Sequence, residues 1–129
     1  MIKDNNYMIK REKKMKCNIM LKLSSWNDII GQCRANKYYA NTHKQREMKD
    51  ISWFIRQIPP IKKYPIEIIF KWHIKNTRSD LDNKSVKSIL DCMQNLGILE
   101  NDNIGHIKAI HHYAIKDIEE YVEMEILED

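Results

Sequence analysis

YPIEIIFKWHIK, residues 64–75, is the stretch on which the fold turns. Ile66, Ile68, Phe70, Trp72 and Ile74 occupy one parity, while Glu67, Lys71, His73 and Lys75 largely fill the other. Successive side chains of a strand point to opposite faces, so this period of two predicts a half-buried β-strand. Downstream, NTRSDLDN (76–83) is a polar loop, after which Val86, Ile89, Leu90, Met93 and Leu96 recur at helical spacing. Gly97 follows as a C′ residue, where the left-handed backbone favours glycine. ILENDN (98–103) reads as a turn or a short extended piece, and Ile107, Ala109, His111 and Tyr113 alternate into another strand. A last strand alternates Val122, Met124 and Ile126 with Glu123 and Glu125, and is read as antiparallel to its predecessor through the KDIEE turn (116–120).

Upstream, Pro59-Pro60 stops a helical stretch that runs from Ile29 and breaks near Asn36. Its second part places Ala40, Glu47, Ile51, Phe54, Ile55 and Ile58 mostly three and four apart. Ser24, Ser25 and Asn27 are N-cap candidates before Asp28. In CNIMLKL (17–23), Ile19, Leu21 and Leu23 share a face and suggest a first strand. Residues 1–16 hold six basic residues without apolar periodicity and read as a flexible tail. The order strand, helix, helix, strand, helix, strand, strand predicts one α/β (α+β) domain over 17–129. A small mixed sheet carries packed helices.

The formal net charge of +4 hides an asymmetry. Residues 1–63 carry 15 Lys and Arg against 5 Asp and Glu, whereas residues 64–129 carry 7 against 13. One half attracts polyanions, and the other holds carboxylates that repel them unless a cation intervenes. Apolar runs reach only two or three residues, which excludes a membrane-spanning helix. No apolar core follows the N-terminal charges, which excludes a secretory signal. Three cysteines (Cys17, Cys33, Cys92) without a CxxC pair fit a reduced, cytoplasmic chain. The 21 Ile, 17 Lys and 11 Asn suggest an AT-rich genome, hence a low-GC bacterium or its phage, and dilute the meaning of the lysine count.

Chemistry concentrates at Ser79-Asp80-Leu81-Asp82-Asn83. In an extended chain Asp80 and Asp82 point the same way and can face one cation. Mg²⁺ takes hard oxygen ligands and usually only a few from protein. Asp102, just past the next helix, is the natural third carboxylate, with Asp91 and Glu100 in reserve. Lys87, in that helix, would neutralise charge on a phosphate under attack. Asp-x-Asp-Asn before a helix is equally good capping chemistry. An EF-hand reading fails, because Ser85 stands where Gly belongs and Asp91 where Glu belongs. His106 and His112 share a parity, but no Cys pair or HxxxH companion supports zinc. Cys33, Cys92, Trp53 and Trp72 read as packing residues, and the C-terminal glutamates (Glu119, Glu120, Glu123, Glu125, Glu128) as solvated surface.

The run RSDLDNKSVKSILDCMQNLGILENDNIGHI (78–107) resembles the signature of the RusA-type Holliday-junction resolvases. WNDIIGQCRANKYYANTHKQRE (26–47) is similar to that family's polar, basic first-helix region. The resemblance implies a Mg²⁺-dependent crossover junction endodeoxyribonuclease, with Mn²⁺ as a substitute metal and no organic cofactor. Asp80, Asp82 and Asp102 would hold the metal and Lys87 would be the catalytic lysine. It implies a homodimer making paired symmetric nicks across a four-way DNA junction. Lys87 lies five residues after Asp82 where some members place the lysine four after, so Lys84 also stands for the role. The acidic turn, often two adjacent acids, reads Glu100-Asn101-Asp102 here. Arg34, Lys37, Lys44, Arg46, Lys49 and Arg78, with Arg56, are the candidate phosphate contacts. The expected setting is the bacterial cytoplasm, with a phage or prophage gene. Two alternatives stand beside it: a non-catalytic branched-DNA-binding protein, and a different metal-dependent nuclease.

Overall fold

β2 (Ile66–Ile74) is the strand about which the structure is organised. A computed structural model describes residues 13–21, 37–76 and 86–128. Around β2 stand β1 (Lys13–Ile19), α1 (Lys37–Ile55), α2 (Lys87–Asn95), β3 (Ile107–Lys116) and β4 (Tyr121–Glu128). The sheet order is β1-β4-β2-β3, with β2 and β3 parallel and the other two pairings antiparallel. This is the mixed α+β architecture expected of one small domain. The helix predicted from Ile29 to Asn36, its N-cap candidates Ser24, Ser25 and Asn27, and Leu23 and Cys33 lie outside the described residues.

Register explains the core. Cys17, Met124 and Phe70 stand opposite one another across three strands, as do Ile19, Val122 and Trp72. These side chains are buried together with Ile51 and Ile55 of α1 and Ile89, Cys92 and Met93 of α2. The Cys17 thiol donates to the Phe54 carbonyl at 3.2 Å, fixing α1 over this face. α2 ends as its glycine predicts. Gly97 has φ +74°, its N–H donates to the Gln94 carbonyl and that of Ile98 to Met93, a Schellman closure.

Four expectations need correction. β4 does not pair with β3; it lies beyond β2, between β2 and β1. Two strand spacings are about 10 Å, which the four linking residues 117–120 can span across the end of β2. The Asp117 N–H bonds the Ile74 carbonyl there, and the Lys75 N–H bonds the Glu120 carboxylate.

β1 begins at Lys13, so residues 13–16 belong to the sheet rather than to a tail. Their periodicity is electrostatic rather than apolar, since Lys14 and Lys16 both reach Glu125 on the neighbouring strand. The C-terminal glutamates are accordingly not all solvated. Glu125 is 3% and Glu128 5% exposed, the latter accepting the Lys62 and Lys63 N–H groups. Glu123 bonds His73 Nε2 at 2.7 Å, while Asp117 takes Nδ1 at 2.9 Å and Tyr121 stacks on the ring. Hydrogen bonding from His73 holds the Asp117 carboxyl below its usual range.

Trp53, read as a packing residue, is 61% exposed. At 100° per residue it stands about 200° from both Ile51 and Ile55, on the far side of the helix.

Trp72 is buried as expected, and its indole N–H donates to His112 Nδ1 at 2.9 Å. Nδ1 therefore carries no proton, and the neutral ring stacks against Phe70 and Trp72. Burial, with the neighbouring His111, pulls the His112 pKa below its ordinary value. The unfolded chain then binds a proton that the folded chain rejects, so stability is lost as pH falls through the unfolded value of about 6.5. The melting temperature is expected to fall between about pH 7.5 and about pH 5.5, and His112→Phe to flatten that slope. Equal slopes in the two proteins would remove His112 from the account.

Candidate functional site

α2 opens with Lys87, whose ammonium lies 3.4 Å from Asp91 Oδ1 and 3.6 Å from Asp102 Oδ2. The first contact follows from helical spacing, since residues four apart share a face. The second joins positions far apart in the chain, and the loop architecture produces it. Ile98 and Leu99 are buried and anchor the segment, and the Ile61 N–H bonds the Ile98 carbonyl. The Glu100 N–H donates to the Tyr64 hydroxyl at 3.0 Å. Asn103 then folds the exit of the loop, its Oδ1 accepting the Gly105 N–H and contacting His106 Nδ1 at 2.7 Å. Asp102 is thereby delivered to the start of α2 before the chain enters β3.

Lys44 of α1 approaches Asp91 Oδ2 at 3.8 Å, which makes a run of alternating charges: Lys44, Asp91, Lys87, Asp102. Beside it a shallow groove between the helices is lined by Lys44, Gln45, Met48, Asp91, Gln94 and Asn95. Lys87 is mostly exposed, and Asp91, followed by Asp102, raises its pKa, so it remains an ammonium. The N-cap of α2 is Val86, without a side-chain capping bond, and the acids read as capping candidates, Asp80 and Asp82, lie outside the described residues.

Of the candidate site residues, Asp102 and Lys87 are brought together. Asp80, Asp82, Arg78, Arg34 and Lys84 lie outside the described residues, as does the side chain of Lys37. Arg46 and Lys49 are exposed on α1, whereas Lys44 is turned to Asp91. Asp91, a reserve acid in the sequence, stands in the cluster, and its spacing of four from Lys87 was the available signal. Glu100 points elsewhere, 4.0 Å from His106. The histidines do not converge: His106 turns to Asn103 and His112 to Trp72. No protein-family model matches the chain, and no curated protein matches it.

Among the described residues no group of three or more His, Cys, Asp or Glu is placed to hold a metal ion. Of the three carboxylates expected to hold Mg²⁺, Asp102 is the one among the described residues. Asp102 offers hard carboxylate oxygens, is partly solvent-accessible, and pairs with Lys87. Among those residues, too, no helix is long and apolar enough to cross a membrane.

Proposed function

We propose that this chain is a Mg²⁺-dependent, structure-selective DNA endonuclease of RusA type that resolves four-way junctions by paired nicks as a homodimer in the bacterial cytoplasm. The observation that supports it is the approach of Lys87 to Asp102, fifteen residues apart in the chain and 3.6 Å apart in space. The resemblance gives these two positions to the catalytic lysine and to a metal-holding acid, and the fold brings them together.

Asp102 would hold the cation with Asp80 and Asp82. A cation held by these carboxylates would supply Lewis acidity at the scissile phosphate and charge stabilisation at the departing 3′-oxygen. Lys87 stays protonated and exposed, so it can exchange one carboxylate for a phosphate oxygen without leaving water. Asp91 keeps that ammonium over the start of α2 during the exchange. Arg46, Lys49 and Arg56 supply positive charge for the DNA arms.

A second reading, a branched-DNA-binding protein that does not cut, is favoured by the ion pair that already engages Asp102. The two part on one experiment. A mobile-core four-way junction, with linear duplex and single strand as controls, is incubated with the protein with and without Mg²⁺. Symmetric nicks in the junction alone, dependent on Mg²⁺, are the expected result. Binding without nicks selects the second reading, and equal cutting of linear duplex rejects junction selectivity.

A further inference from the structure

The two faces of α1 differ sharply. Ile51 and Ile55 face the core without exposure. On the outer side Arg46, Lys49, Asp50, Trp53 and Arg56 are all exposed and fall within about 120° of arc. The Arg56 N–H still bonds the Ser52 carbonyl, so this residue continues the stripe by one helical turn. Its guanidinium lies over the Trp53 ring, 3.6 Å from the centroid. Arg46, Lys49 and Arg56 make no ion pair among the described residues, and Asp50 is the one acid within that arc, Glu47 falling outside it.

A large exposed indole beside cations that make no ion pair among the described residues suits a partner that is both flat and anionic. Arg56 covers one face of the ring, and the exposed remainder is open to a flat partner. Sequence-tolerant nucleic-acid sites combine an aromatic ring on which a base stacks with positive charge that tracks the backbone. Both halves of that description stand on this stripe.

We propose that Trp53, backed by Arg56, is a stacking platform for an unpaired DNA base, with the adjoining phosphates running along Arg46 and Lys49. It rests on nucleic acid being the ligand, as proposed above, but not on cleavage. The positive charge of the stripe is complementary to phosphate. A second copy of this chain is a poorer occupant, because Glu123, Glu125 and Glu128 of its acidic strand are already engaged internally. At the crossover of a branched DNA, where stacking between arms can be interrupted, a base is unpaired at less cost than within a continuous duplex.

The test measures binding of a fluorescein-labelled oligo-dT of about 16 nucleotides by anisotropy at low salt. Trp53→Ala is expected to weaken it roughly 5- to 150-fold, the range for loss of one stacked base. Trp53→Phe restores most of the affinity, and Arg56→Ala falls between. Indole emission in the wild type is quenched by the oligonucleotide, and Trp53→Phe loses that quenching. Because Trp53 is exposed, the melting temperatures of the variants stay with the wild type. Binding by Trp53→Ala within about twofold of the wild type overturns this proposal and leaves the nuclease reading standing. Failure of the wild type to bind any DNA, junction included, overturns both. A change in oligomeric state on Trp53→Ala, measured by light scattering, overturns it in favour of a second copy as the occupant.

Discussion

Asp102→Asn is expected to slow Mg²⁺-dependent nicking of a four-way junction by at least about a hundredfold, with junction affinity within about twofold of the wild type. The substitution keeps shape and hydrogen-bonding capacity and removes one negative charge. Little of the fold depends on that charge, since Asp102 is partly exposed and Lys87 retains Asp91 as a partner. A loss of nicking with intact binding therefore reports on chemistry. Lys87→Ala is expected to behave alike, because the ammonium is poised between the two acids. Asp91→Asn is the informative control: its carboxylate is shared with Lys44, so its removal loosens α1 from α2 and lowers activity by less than about tenfold. Gel-resolved single-turnover cleavage of a labelled junction measures all three. Wild-type rates for Asp102→Asn would show that this acid does not hold the metal, and an order of effects with Asp91 above Asp102 would transfer the role to Asp91.

Parity and helical spacing carried the local structure of this chain. The alternation at Ile66–Ile74, the helix closed by Gly97 and the strands after Ile107 and before Glu128 stand as read. Alternation assigns strands but does not name their neighbours. β4 lies between β1 and β2, where its Glu125 finds lysines on both: Lys14 and Lys16 on one side, Lys71 on the other. Those partners lie 54 residues or more from Glu125, beyond any local pattern. Trp53 was misread for a simpler reason. It sits inside an apolar run, and apolar company outweighed an angle that points it outward. Sequence position set Asp102 just past the helix that carries Lys87, and the two do meet. Nothing local requires Lys87 to meet Asp102; the buried Ile98-Leu99 anchor and the Asn103 turn bring it about.

The burial of Glu125 yields the second large effect. Glu125→Ala is expected to cost about 1.5–3 kcal/mol at neutral pH, measured by urea unfolding. The carboxylate is 3% exposed, which by itself pushes its pKa up. Hydrogen bonds and charge from Lys71 at 3.2 Å and Lys14 at 3.3 Å outweigh that burial and hold the group below the usual carboxylate range. It is therefore ionised in the folded protein and joins β1, β4 and β2 across the sheet. Loss of the acid leaves lysines that reach water, so the cost stays below the 3–5 kcal/mol expected when a buried charge is stranded. The opposite deletion does strand one. Lys14→Met with Lys71→Met leaves Glu125 with only Lys16 at 3.8 Å, and the double variant is expected to lose more than the two single losses together. A folded pKa below the unfolded one gives stability that is present above the unfolded value of about 4.3 and is lost as pH falls through the folded value. The stability curves of wild type and Glu125→Ala should accordingly converge in acid and stay apart at neutral pH. A constant gap at all pH values would mean that the alanine acts through packing, and a neutral-pH gap below about 0.5 kcal/mol would return Glu125 to the solvated surface. Convergence would give part of the charge asymmetry a structural origin: a lysine-rich first strand is held to a glutamate-rich last one, and those cations are spent on the sheet rather than on a polyanion.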